Sequence, residues 1–244
     1  MNFALQIKNL NKSYGTTHAV QDVSFNIEPA EIFALLGPNG AGKTSTIACI
    51  TTLEQPTSGQ IQIFDFDLKT QTMQAKRMIG VVHQEVINSG FFDVEEILKF
   101  QSGYYGLRNN HEQIQYLLHK LSLFEHRHKK VKQLSGGMKR RLMIAKALVH
   151  KPKLLILDEP TAGVDVELRE SLWVFVKELQ SQGISILLTT HYLEEAQRLC
   201  RRVGIINKGR LDHIEDTAKL VAQYGNLEEA FKKLTRSNST KGLL

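Results

Sequence analysis

Apolar residues recur along this chain in two rhythms. Residues 5–10 and 20–27 alternate or run apolar around a polar stretch at 11–17, which predicts an antiparallel strand pair at a sheet edge. Residues 32–36 form an unbroken apolar run ending on a glycine, the pattern of a central strand buried on both faces. A helix is expected from 42 to about 52, then a turn at Pro56, Thr57, Ser58 and Gly59, and strands over 60–64 and 80–82.

Between residues 88 and 150 the rhythm changes. Segments 94–100, 112–121 and 138–149 carry helical spacing with few β-branched runs between them, so this block is expected to be a helical subdomain inserted into an α/β core. Beyond it, apolar runs at 154–157 and 184–189 bracket a long amphipathic helix over 166–181. A strand at 203–206, a turn at Lys208, Gly209 and Arg210 and a terminal helical pair follow, and residues 237–244 are expected to fray. The chain thus divides into an α/β core (1–87 and 151–215), a helical block (88–150) and a helical tail (216–244), together one domain.

Composition narrows the class without changing this picture. With 244 residues, 42% of them hydrophobic and 23% charged, the chain has the balance of a soluble globular protein and can bury a full core. No run approaches the ~18 apolar residues of a membrane span, and residues 1–10 read as a strand and not as a leader, so a cytoplasmic location is expected. Cys49 and Cys200 lack CxxC or metal-ligand spacing and are read as small buried apolar residues. The net charge is +6, and basic residues gather at 126–132, 139–141 and 201–202. These read as solvated helix ends and phosphate-facing positions. Nucleic acid is not expected as a partner, because no aromatic residues interleave with the basic ones; a face toward anionic lipid remains open.

Two segments carry chemistry. Gly37, Pro38, Asn39, Gly40, Ala41, Gly42, Lys43 and Thr44 match GxxxxGK[ST], with a strand before and a helix after. In such a loop glycines let backbone N–H groups curl around phosphates, Lys43 supplies a positive charge and Thr44 a ligand for Mg2+. Ser45 adds a hydroxyl near the α-phosphate. The second segment, Leu154 to Glu159, is an apolar run ending in two acids. A carboxylate at the end of a parallel strand lies where α/β folds bind ligands. Asp158 suits a hold on Mg2+ and Glu159 a general base that aligns a water. Alone, an apolar run before Asp-Glu is also a plain helix start; the phosphate loop upstream favours the catalytic reading.

With these motifs in order, and with Leu134, Ser135, Gly136 and Gly137, Gln84, the Pro160 to Asp165 stretch and His191 between and after them, the chain resembles the ATP-binding subunit of an ABC transporter over nearly its whole length. The resemblance implies a P-loop NTPase core with a mostly parallel sheet, an N-terminal antiparallel β-subdomain and an inserted α-helical subdomain. It implies that Ser135, Gly136 and Gly137 grip the γ-phosphate of an ATP held by a second copy, and that Gln84 reaches Mg2+ or water and reports nucleotide state. It further implies that His191 binds the γ-phosphate and that Tyr14 stacks on adenine. The other implied partner is a separate multi-span membrane permease, with the subunit on the cytoplasmic face of the inner membrane.

Three positions depart from the family pattern: Met138 stands where glutamine is usual, His83 where proline is frequent, and Val164 where leucine usually precedes the aspartate. Residues 135–141, 189–198 and 226–235 narrow the resemblance to the ATPases of ABC-2 type exporters. An importer or lipoprotein-releasing ATPase is the nearer alternative. A soluble ABC ATPase acting on ribosomes or DNA is the more distant one, because the chain has neither a second cassette nor a long coiled-coil insertion.

Overall fold

The computed structural model describes residues 3–83, 90–162 and 164–237. Two sheets form. The smaller is antiparallel, in the order β2-β1-β4-β5, from β1 (Leu5–Tyr14), β2 (Thr17–Ile27), β4 (Ser58–Ile63) and the short β5 (Phe66–Asp67). The larger runs β10-β9-β3-β8-β7-β6, from β3 (Ile32–Leu36), β6 (Ile79–Val82), β7 (Leu154–Asp158), β8 (Ser185–Thr190), β9 (Arg202–Asn207) and β10 (Arg210–Asp216). All its pairings are parallel except β9 with β10. The expected mixed α/β fold, with a mostly parallel sheet and an antiparallel N-terminal sheet, is observed.

The parallel sheet is dry on both faces, and its alternation divides each strand between two cores. Ile32, Ala34, Leu36, Leu155, Leu157, Ile186 and Leu188 face one core; Phe33, Leu35, Leu154, Ile156 and Leu187 face the other. The second core is completed by β1, β2 and β4 together with Ile47 and Ile50 of α1 (Lys43–Ile50). The first is completed by helices: α3 (Val94–Tyr104), α4 (His111–Lys120), α5 (Gly136–Leu148), α6 (Val166–Ser181) and α7 (Leu193–Leu199), with α8 (Thr217–Tyr224) and α9 (Leu227–Ser237) behind them. The inserted block therefore shares one continuous core with the sheet. Its entry is fixed by Asp93, which accepts from the Glu96 N–H at 2.8 Å while Glu96 accepts from the Asp93 N–H at 2.9 Å, a capping box contributing about 1 kcal/mol.

Several details differ from the sequence pattern. The first hairpin turns at Gly15 and Thr16 alone, because β1 runs on to Tyr14 and β2 starts at Thr17, so most of residues 11–17 are strand. Polar residues are tolerated there because this end of the hairpin is largely exposed. The pair does lie at a sheet edge, but in a sheet of its own: β2 is the outer strand of the smaller sheet, and β1 sits between β2 and β4. Helix α2 (Thr72–Met78), β5, α7 and β10 carry no signal strong enough to predict, being short or nearly devoid of buried residues. Cys49 and Cys200 are both buried and unpaired, and burial pushes both thiols upward in pKa.

Candidate active site

Strand β3 delivers the chain into a cleft of about 840 Å3. Its floor is possible only with glycine at two points. A Cβ on Gly37 would stand 2.3 Å from the Ile206 carbonyl oxygen, and one on Gly42 2.5 Å from that of Ala19, with Gly42 at φ +107°. Gly42 also precedes α1 without any side-chain cap, which leaves the first amides of that helix for a ligand. Lys43 is buried and folds back: its Nζ donates to the carbonyls of Gly37 at 2.7 Å and Pro38 at 3.1 Å. Burial lowers its pKa, while Glu159 and Asp158 pull the other way.

The opposite wall is the end of β7. Buried Asp158 accepts a 2.5 Å hydrogen bond from the Thr189 hydroxyl of neighbouring β8. Glu159 follows with φ +48°, a left-handed backbone that costs a non-glycine residue about 1–2 kcal/mol. Its N–H donates to the Thr189 carbonyl at 3.0 Å, and its carboxylate oxygen lies 3.3 Å from His191 Nδ1. Glu159 is largely covered at the side chain (12% exposed) whereas His191 is open (46%). A largely covered carboxylate beside an accessible imidazole can orient a water and take its proton.

The cleft is lined by Gly37, Pro38, Asn39, Gly40, Gly42, Lys43, Thr44, Ser45, Glu159 and His191 together, residues drawn from three separate stretches of sequence. Ala41 and Asp158 are buried and do not line it. Tyr14 stands at the tip of the first hairpin, 44% exposed, with the Lys12 ammonium 4.7 Å from its ring centre, and it is not part of the cleft wall. Ser135, Gly136 and Gly137 open α5 and are likewise outside this cleft. There Ser135 caps the helix, its hydroxyl accepting from the Met138 N–H at 3.2 Å, and Met138 packs on the main core. Gln84 lies outside the described residues.

Other walls escaped the sequence reading. Ala19, Ala162, Thr190, Tyr192, Leu193 and Phe231 also line the cleft, the last from tail helix α9. The Thr189-Thr190 pair at the end of an apolar run was a legible signal, polar side chains where a strand meets a ligand crevice. For Phe231 there was none beyond the helical spacing of the tail.

The basic run at 139–141 needs correction. Arg140 is neither solvated nor phosphate-facing but 3% exposed. It donates to the carbonyls of Pro160 (Nε, 2.7 Å), His83 (Nη1, 2.7 Å), Asp158 (Nη2, 3.2 Å) and Glu159 (Nη2, 2.5 Å). Likewise Arg202 is half-buried, paired with Glu31 at 2.7 Å.

The donors near the cleft are hard oxygens, the Thr44 hydroxyl and the Asp158 carboxylate. Among the described residues no group of three or more His, Cys, Asp or Glu side chains could hold a metal alone. This donor set fits a magnesium ion that takes its remaining ligands from phosphate and water. No described helix is long and apolar enough to cross a membrane.

A family model described as "ABC transporter" matches residues 20–162. The linearmycin resistance ATP-binding protein LnrL of Bacillus subtilis is 39% identical over 223 residues, 91% of this chain and 72% of its own length. The Nod factor export ATP-binding protein I of Cupriavidus metallidurans is 40% identical over 212 residues, 86% of this chain and 70% of its own. Among solved structures, an ATP-binding subunit of an ABC transporter superposes with a TM-score of 0.88 at 30% identity, covering 95% of this chain and 99% of the other.

Proposed function

This chain belongs to the ABC transporter family as an ATP-binding subunit, and from that premise we propose that two copies close head to tail over two ATP molecules and power export through a separate membrane permease. Each ATP would lie between residues 37–45 of one copy and Ser135, Gly136 and Gly137 of the other. The observation that carries this reading is a division of labour. One cleft gathers the phosphate loop, Glu159 and His191, while the Ser-Gly-Gly turn is presented elsewhere, with space for a Cβ at Gly136. A second copy supplies what the cleft lacks.

Hydrolysis would follow by in-line attack of water on the γ-phosphate, with Glu159 taking the proton and His191 holding the phosphate and the water in line. Lys43 would leave the carbonyls of Gly37 and Pro38 for the phosphate oxygens. Those two bonds tie the loop to its own lysine. Thr44, Asp158 and Gln84 would hold Mg2+, which would supply further positive charge to the phosphates. Tyr14, half-exposed on the hairpin, would exchange its contact with the Lys12 ammonium for stacking on adenine.

The export reading rests on the two relatives, which are named for linearmycin resistance and Nod factor export, and the ABC-2 type within it on the sequence of residues 135–141, 189–198 and 226–235. In that role the subunit is peripheral on the cytoplasmic face of the inner membrane. A Glu159→Gln chain should bind ATP and dimerise while turnover falls about 10²- to 10⁴-fold; near-normal turnover would refute Glu159 as the base. Specific activity should collapse on dilution, and a dilute monomer as active as the dimer would end the shared-site model. Co-purification with a multi-span protein encoded beside it tests the permease.

A further inference from the structure

The buried guanidinium of Arg140 has no part in the chemistry above, yet it is the most heavily bonded charged group near it. It enters from α5, the helix that begins with the Ser-Gly-Gly turn, and reaches across to the end of β7. Three successive carbonyls there, of Asp158, Glu159 and Pro160, accept its N–H groups, and a further N–H goes to His83, next to Gln84 in sequence. Consecutive carbonyls turned toward one donor fix the peptide planes between them. The middle residue of the three is the one with left-handed φ. A left-handed backbone at a non-glycine residue persists only where its surroundings over-determine it. Here the surroundings are Arg140 on one side and the Thr189 carbonyl, which accepts the Glu159 N–H, on the other.

We propose that Arg140 is the positioning residue of the hydrolytic base: it holds Glu159 in its left-handed conformation and thereby aims its carboxylate at the cleft. The proposal rests on Glu159 acting as base. The cost of burying the charge is visible in the lowered pKa of Arg140, and the carboxylates of Asp158, Glu195 and Glu159 offset it. Only a planar fork with several N–H groups spans three carbonyls and a fourth, so a lysine ammonium cannot replace it. Without Arg140 the peptide at 158–160 relaxes, and Glu159 leaves its line to the attacking water while the phosphate loop is untouched.

The test is steady-state ATP hydrolysis by the full chain carrying Arg140→Lys, Arg140→Gln or Arg140→Ala, beside Glu159→Gln, with the melting temperature of each. The expected result for Arg140→Lys and Arg140→Gln is a kcat lower by about 10- to 100-fold at unchanged KM for ATP. For Arg140→Ala, guanidinium at millimolar concentration should restore part of kcat, and methylammonium should not. Wild-type kcat in any folded Arg140 variant overturns the proposal. So does a joint loss of kcat, KM and melting temperature that guanidinium does not repair, since that marks a role in the fold alone. An active Glu159→Gln chain strikes the base assignment instead, and the two failures are therefore distinct.

Discussion

Two loops face each other across the cleft, each following a strand buried on both faces, and each has its carbonyls held by a cation. In the phosphate loop the cation is local. Lys43 is bonded to Gly37 and Pro38, six and five residues back, and is free to exchange those bonds for phosphate. At the end of β7 the cation is remote and fixed: Arg140 arrives from another helix, is buried, and bonds carbonyls 18 to 20 residues ahead. Their backbones differ in the same sense. The first loop reaches its conformation through glycine, with no strain to hold; the second places a glutamate in a left-handed conformation that something must hold. A loop that meets ligand can be built of exchangeable bonds, whereas a loop that aims a base needs permanent ones.

The sharpest way to break this contrast is Lys43→Met. Its bonds are expected to be exchangeable, so turnover should fall about 10²- to 10³-fold while the melting temperature hardly moves; a large drop in melting temperature would make Lys43 as structural as Arg140. Gly37→Ala should do the reverse and act first on the fold. The Cβ clash with the Ile206 carbonyl predicts a loss of about 1–3 kcal/mol, or roughly 2–12 °C in melting temperature, by thermal denaturation. Thr189→Val removes the hydroxyl that Asp158 accepts and leaves a buried carboxylate short of a donor. It should cost about 1–3 kcal/mol in stability and about tenfold in kcat, and an unaltered pair of values would detach Asp158 from the site. The smallest effect is expected from Phe231→Ala at the rim: a rise of about threefold in KM for ATP with kcat retained, about the loss of one partial apolar contact.

What the sequence discloses follows the same division. Residues 37–45 are legible because the constraints on them are local: glycines where a Cβ would strike backbone, then a helix start. The pairing of Asp158 and Glu159 with that loop is legible because buried parallel strands end in one crevice. The grouping of His191 with Glu159 rests on resemblance in the sequence and on a 3.3 Å contact in the structure. Arg140 is illegible, since in a run of three basic residues nothing local says that the middle one points inward; its partners lie at the ends of β6 and β7. Short elements such as α2 and β10 fail for a related reason, because pairing with neighbours, and not their own periodicity, holds them in place. Tyr14 shows the limit of resemblance: its place on the hairpin tip leaves stacking on adenine as a proposal.

The walls of the cleft run from Ala19 to Phe231, nearly the span of the described chain, and include strand ends that meet only when the parallel sheet is complete. Such a site has no existence in a partly folded chain, so nucleotide is also a folding ligand. At a free ATP concentration 100 times its dissociation constant, occupancy adds about 2.7 kcal/mol to the native state, or about 5–11 °C of melting temperature. Copies deprived of ATP would then be the ones that open first and meet proteases first, which ties the lifetime of the subunit to the energy state of the cell.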